Sequence, residues 1–356
     1  MGRRVNWDLG IGTLTPGADG THMERALRRV ADRVELVHED RPRGNLGGAA
    51  WALRQSRHWE PGTRTICVHD AGLAMRTAPL LRNTSRGALP VAYTAAGPLS
   101  LVEAAALGHR EAVKGALDRV DVLWGGQVVE VGGWEEPAAD LPLVKWAAPW
   151  PDDDGADLGR IAWDADGRIC GMVGAGGSPV VREASTAKYA DLGSFVADAR
   201  WLREDAPLFG DIHRDALWPW LSAGSLQAGV RVATGPWPWW AFRRASAWLR
   251  HSVALGGPQG ARWRALLQVE EPLVDCVLGG VHIGAGKGPT FEEVANGVRV
   301  GGVFVKGSLL GRCRLDAGSS VVDSWLGDVT GQVSASRSRL LEVDGGMYTD
   351  VVVHGP

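Results

Sequence analysis

Residues 65–76 read TICVHDAGLAMR, an apolar, β-branched run that meets a polar turn and then, four residues past Gly72, an arginine. A strand, a glycine turn and a basic residue at a helix start make a phosphate site in α/β proteins, because turn amides and the helix N-terminus face one place. In that arrangement Gly72 lets the backbone approach the phosphates and Arg76 grips them with its planar fork. Asp70, at the strand end, is a candidate to hold Mg2+ directly or through water. Each has a plainer reading: Arg76 a solvated arginine of a first helical turn, Asp70 a turn or cap residue, His69 a packed histidine. Arg82 and Arg86 add positive charge that suits a polyphosphate and equally a solvent face.

A second stretch, RPRGNLGGAAWALRQ at 41–55, sets Gly44, Gly47 and Gly48 at the entry to a helical pattern. Glycines there admit a ligand close to the backbone, or make a plain tight turn. Further on, KYADLGSFVADARW puts Asp191 and Asp198 on either side of a strand-like run. One of them is a candidate metal ligand; a helix N-cap is the equal alternative for either. His213 and Asp215 in GDIHRDALWPW carry the same ambiguity. PDDDGAD reads as a solvated loop, and GAGGSP at 174–179 lacks the following helix that a phosphate loop needs.

The elements that must position these residues alternate over 4–130. VNWDLGIGTL, VELVHED, TRTICVHD and RVDVLWGG read as strands. Between them, Met23, Leu27, Val30 and Val34 share one helical face with Thr21 as N-cap, and GNLGGAAWALRQ and LSLVEAAALGHREAVKGAL read as helices. This βαβα order predicts a largely parallel sheet with helices on both faces and ligands outside the carboxyl ends of its strands. GRIAWDADGRICGMVG predicts a β-hairpin turning at Asp-Gly, and GSFVADARWLRED a strand leading into a helix. Val303, Leu309, Leu315 and Val321 recur every six residues in a glycine-rich tail, the signature of a β-helix; an irregular β-sandwich is the other reading.

The chain of 356 residues has room for one large or two medium domains, and its 45% hydrophobic content suits a globular core. A net charge of −3 points to neither nucleic acid nor an anionic membrane as partner. No run of about 18 apolar residues suggests a span. No signal peptide is visible, so a cytoplasmic protein is expected. Four scattered cysteines (Cys67, Cys170, Cys276 and Cys313) read as reduced thiols rather than a metal knuckle or disulfide framework. Tryptophans number seventeen against three tyrosines, and six of them, between Trp218 and Trp248, crowd one segment that suggests an aromatic core or pocket.

Taken together, WDLGIGTLT, GNLGGAAWAL, ICVHDAGLAMR, SRGALPV and DVLWGGQVVEV resemble the fucose-1-phosphate guanylyltransferase family over residues 5–131; thereafter the likeness is architectural. The resemblance implies an α/β protein: a Rossmann-like nucleotidyltransferase domain with a mixed, mostly parallel sheet over 1–268, followed by a short left-handed β-helix over 269–356. Within the first, residues 1–131 would bind the nucleotide, and 132–268 the acceptor. It implies that Gly44, Asn45, Gly47 and Gly48 surround guanine and ribose, that Gly72 and Arg76 lie against the triphosphate, and that Arg86 stands near the family's phosphate-binding lysine. Asp70 and Ala71 depart from the family pattern, no lysine follows in the SRG segment, and GGQ at 125–127 replaces acidic residues expected to hold Mg2+. The metal would then rest on Asp70 or Asp198. The expected activity joins GTP to a sugar or sugar-like cyclitol 1-phosphate with Mg2+ as cofactor, and the β-helix offers a surface for homo-oligomers. A silent binding protein that kept the fold, and an acyltransferase, are the alternatives.

Overall fold

The computed structural model describes residues 7–16, 20–70, 86–88, 90–94, 97–110, 117–129, 141–149, 159–173, 188–225, 227–232, 239–241 and 260–269. In the tail it describes 271–272, 275–278, 281–283, 297–306, 309–310, 312–315, 317–318, 320–322, 325–327, 330–336, 339–341, 344–349 and 352–353. The chain divides into two compact units, 1–72 with 105–240, and 73–104 with 241–356. Glu271–Pro272 pairs antiparallel with Ala92–Tyr93, and that ladder draws the 73–104 excursion into the second unit.

In chain order the elements are β1 (Trp7–Leu14), α1 (Thr21–Leu27), β2 (Ala31–His38), α2 (Gly44–Gln55), β3 (Thr65–His69), β4 (Pro90–Thr94), β5 (Gly97–Ser100) and α3 (Leu101–Arg110). Then come β6 (Arg119–Trp124), β7 (Gln127–Val129), β8 (Leu143–Pro149), β9 (Arg160–Trp163), β10 (Ile169–Val173), β11 (Tyr189–Asp198), α4 (Ala199–Glu204), a π turn at His213–Leu217, α5 (Trp218–Ser222) and β12 (Ala228–Val232). In the first unit β2, β1, β3 and β6 lie side by side and parallel, with Thr13 opposite His69 and His69 opposite Trp124. This is the mostly parallel sheet that the alternating pattern predicts. β11 then enters antiparallel to β6, and β8 and β12 extend the sheet beyond it.

The helix expected through Val34 stops at Leu27, because Ala31–His38 is needed as the strand beside β1. Its N-cap is Gly20 rather than Thr21. Leu9, Ile11, Leu46, Leu53, Cys67, Val122, Phe195 and Leu202 form one buried cluster between the sheet and α2 and α4. Each such large side chain contributes roughly 1.5–3 kcal/mol by leaving water. The β9–β10 hairpin forms as expected, its turn closed by Asp164, which accepts from the backbone N–H of Asp166 and Arg168. Among the tryptophans, Trp201 stacks on Trp220 at 5.4 Å; residues 233–238 and 242–250 lie outside the described residues.

In the second unit short strands stack in parallel. Val305 pairs with Val321 and Leu309 with Trp325, sixteen residues on. Val321 pairs with Ala335 and Trp325 with Arg339, fourteen on; Ala335 pairs with Tyr348 and Arg339 with Val352, thirteen on. Val303, Leu309 and Leu315 fall on three different sheets, and Val321 returns to the first. The sixfold recurrence thus falls on successive sheets, while the stacking repeat is thirteen to sixteen residues. Cys276 and Cys313 are register partners on neighbouring parallel strands, which their distance in the chain hides.

Candidate functional site

The carboxyl ends of the parallel strands are knit together by backbone hydrogen bonds. Asp70 N–H donates to Thr13 O at 3.0 Å, Gly125 N–H to His69 O at 2.9 Å, and Glu39 N–H to Leu14 O at 2.9 Å. Glu39 is buried just past β2, with Oε1 3.5 Å from His69 Nε2. α2 covers this pair closely: a Cβ on Gly48 would sit 2.5 Å from Glu39 Oε1 and 2.8 Å from His69 Nε2.

Because β11 runs against β6, its early residues, not its late ones, arrive at this edge. Trp124 N–H donates to Ser194 Oγ at 3.3 Å, which fixes the join. Two strand spacings separate β3 from β11, roughly 10 Å. Here β11 bulges: Asp191 stands opposite Ala147 and Phe195 opposite Lys145, so extra residues must loop out. Gly193, at φ +75°, makes the loop, and its N–H donates to Asp191 Oδ1 at 2.7 Å.

The bulge aims the buried Asp191 carboxylate at two cations. Lys145 Nζ, fully buried on β8, lies 2.9 Å from Oδ1, and His213 Nε2 lies 2.5 Å from Oδ2. On its other side His213 Nδ1 meets Asp211 Oδ1 at 3.1 Å, and the same oxygen accepts from His213 N–H at 2.8 Å. The result is an alternating row of Lys145, Asp191, His213 and Asp211 drawn from three segments of the chain. An ammonium has three donors, and beyond the Asp191 ion pair Lys145 Nζ makes no hydrogen bond among the described residues.

The segment carrying Asp211 and His213 is held by the glycine loop at the start of α2. Asn45 Oδ1 accepts from Ile212 N–H at 2.9 Å, Gly47 N–H donates to Gly210 O at 3.2 Å, and Gly210 N–H donates to Arg43 O at 2.9 Å. A Cβ on Gly47 would meet the Leu208 backbone at 2.8 Å, and one on Gly44 the Gly210 oxygen at 2.5 Å. Arg43, itself buried, is stacked between the Trp51 and Phe209 rings, 3.8 and 4.3 Å away. The close approach that Gly44, Asn45, Gly47 and Gly48 permit is therefore to protein. Leu208–Ile212 and the Glu39–His69 pair are the neighbours that these glycines admit.

Burial raises the Asp191 carboxyl, but the Lys145 charge, followed by His213, overcomes this and holds it far below the usual carboxylate range. Burial lowers His213, yet the Asp191 charge and its hydrogen bonds to Asp191 and Asp211 push it up to about 9. A base whose folded value is raised adds stability that is fully present below its unfolded value, near 6.5, and is lost as pH rises through the folded one. Stability against urea should accordingly fall by about 3 kcal/mol between about pH 6 and pH 10. His213→Gln should flatten that decline; an unchanged pH slope in the variant would place the loss elsewhere.

The other sequence-derived candidates are scattered. Asp70 is fully buried at the carboxyl end of β3. Asp198 lies at the opposite end of the sheet, beside Arg119 at the start of β6, where its Oδ1 accepts from Trp201 N–H at 2.7 Å and caps α4. The two cannot share one ion. Gly72 and Arg76 lie outside the described residues, and of Arg86 only the backbone, in a short 3-10 turn of the second unit, is described. Among the described residues no group of three His, Cys, Asp or Glu is placed to hold a metal ion. Asp191 and Asp211, the acids of the row, are already engaged by Lys145 and His213. The sequence reading passes over Lys145, because residues 132–159, rich in proline, acid and glycine, read as an excursion or loop; the signal was its place inside LPLVKWAAP, an apolar run that forms β8.

No helix among the described residues is long and apolar enough to cross a membrane. No protein-family model matches the chain, and no curated protein does. Among solved structures the chain is similar to HddC from Yersinia pseudotuberculosis, at 12% identity and a TM-score of 0.35 over 63% of this chain and 69% of that one. It is similar also to HddC from Yersinia pseudotuberculosis complexed with GMP-PN, at 12% identity and a TM-score of 0.38 over 67% of this chain and 74% of that one.

Proposed function

We propose that the chain is a nucleotidylyltransferase joining a sugar or sugar-like cyclitol 1-phosphate, for example valienol 1-phosphate or a hexose 1-phosphate, to GTP. The observation that carries this reading is the row of Lys145, Asp191 and His213, in which a fully buried ammonium and an imidazole hold one carboxylate beside the carboxyl edge of a parallel sheet. The sequence resemblance supplies the reaction class. An oxygen of the acceptor phosphate attacks the α-phosphorus of GTP, the bond from that phosphorus to the β-phosphate oxygen breaks, and pyrophosphate leaves. Such chemistry rests on positioning and charge neutralisation rather than on a nucleophilic side chain. Lys145, which has no exposed surface, would act through Asp191 and His213 on the geometry of the edge, Arg76 would offset charge on the transferred phosphate, and Arg86 would add to it. Asp70 stands at the edge that faces the triphosphate. Mg2+, when bound, neutralises phosphate charge and would arrive on the nucleotide. In this reading the second unit is a β-helix that also pairs copies of the chain.

The direct test is pyrophosphate release from GTP and Mg2+ across a panel of sugar and cyclitol 1-phosphates. Arg76→Ala should slow turnover at least about tenfold, and Arg76→Lys should recover only part, because a point charge cannot reproduce the fork. Wild-type rates in both folded variants would return Arg76 to the solvent surface. A second reading, a catalytically silent binding protein, is favoured by Gly125, which follows β6 where the family has an acid and whose N–H closes onto His69 O. GTP binding without turnover on any acceptor would select it.

A further inference from the structure

The row of charges at the carboxyl edge bears on how this protein handles metal ions. Asp191 and Asp211 are two carboxylates converging from different segments, the usual beginning of a divalent-cation site. Between them stands the His213 ring, with Nε2 2.5 Å from one and Nδ1 3.1 Å from the other. Both ring nitrogens face acceptor oxygens, an arrangement that a neutral imidazole, which has one N–H, cannot satisfy and an imidazolium can. We infer that His213 is the resident cation of this site, standing where a divalent ion would otherwise bridge Asp191 and Asp211 and keeping the ligand-free protein from binding one.

Three further observations agree. Asp191 Oδ1 is already shared by Lys145 Nζ and Gly193 N–H, so neither of its oxygens is left for a metal while His213 is in place. Asp211 Oδ1 is likewise shared by the ring and the backbone N–H of His213. Of the groups facing the ring, Asp191 and Asp211 hold it charged well above neutral pH, against the opposing charge of Lys145. His213 is thus a positioning residue. It fastens the Leu208–Ile212 segment, which α2 supports from below, to the bulge of β11, and through Asp191 it sets the direction of Lys145. The role deepens the transferase reading, since it leaves the nucleotide to bring its own counter-ion, but it can be tested apart from turnover.

The test is Mn2+ titration of the full, ligand-free chain at neutral pH, by calorimetry or by water-proton relaxation. Wild type should show no saturable site below millimolar Mn2+. His213→Ala, which leaves both carboxylates facing a gap, should bind Mn2+ at least tenfold more tightly, and His213→Lys, which restores a cation, should not. A stoichiometric micromolar site in wild type, or a folded His213→Ala no tighter than wild type, would overturn the inference. Should His213→Ala fail to fold, nitrogen NMR of the wild-type ring decides: both nitrogens should be protonated near pH 7.5 and unmoved by millimolar Mg2+, whereas a singly protonated ring or a Mg2+-induced shift would sink it. Failure of every acceptor in the pyrophosphate assay would overturn the transferase reading and leave this one standing.

Discussion

Lys145→Met is expected to abolish pyrophosphate release, by more than about a hundredfold, while costing about 3 kcal/mol of stability. The two effects have separate causes. Removing the ammonium leaves Asp191 buried with a single cation, His213, and a single N–H donor, Gly193. Taking one partner from a buried pair costs about 3–5 kcal/mol because the remaining charge is stranded; His213 places this case at the lower end. The activity loss comes instead from the Asp191–His213 pair, which Lys145 holds in line beside the sheet edge. Lys145→Arg should not rescue either property, since the larger planar head does not fit a site with no exposed surface. Urea unfolding reads the first effect and product formation the second. A Lys145→Met protein that melts as predicted yet turns over at the wild-type rate would leave the ion pair structural and remove Lys145 from the reaction.

The second large effect is expected at Gly44 and Gly47, where alanine should destabilise the protein by about 3 kcal/mol or more. Gly44 has φ +77°, a conformation alanine adopts only under strain, and its added Cβ would lie 2.5 Å from the Gly210 oxygen. Gly47 carries no such strain, but its Cβ would meet Leu208 and Phe209 backbone at 2.8 Å. Backbone cannot rotate away as a side-chain tip can, so the Leu208–Ile212 segment must move outward. That displacement would draw Asp211 and His213 from Asp191, and the loss of stability should therefore be accompanied by loss of the His213-dependent pH slope. Gly48→Ala offers the contrast: the atoms nearest its Cβ belong to the Glu39 and His69 side chains, which can shift. If thermal melts rank Gly48→Ala as the worst of the three, the glycines do not serve the packing assigned to them.

How much of this was legible in the sequence depends on the range of the forces involved. Strand, turn and helix signals within a dozen residues were readable, because alternation, capping and glycine turns act locally. β1, β2, β3 and β6, their parallel order, the β9–β10 hairpin and the strand-to-helix join at Asp198 all follow from such signals. The choice of Asp198 over Asp191 was not so readable, for a single physical reason. Following a parallel pattern, a strand's last residue should reach the ligand edge; but β11 enters antiparallel to β6, so Asp198 lands at the far end and caps a helix while Asp191 reaches the edge. Strand direction is decided by which neighbours a strand can pair with and bury, and no local residue type encodes it. The same holds for Lys145 and His213, brought to one carboxylate from separate strands and loops, and for Cys276 and Cys313, placed side by side by strand stacking. Sequence alone determined that glycines 44, 47 and 48 admit a close neighbour; only the tertiary structure decided that the neighbour is the chain itself, because the missing Cβ specifies the room and not its occupant.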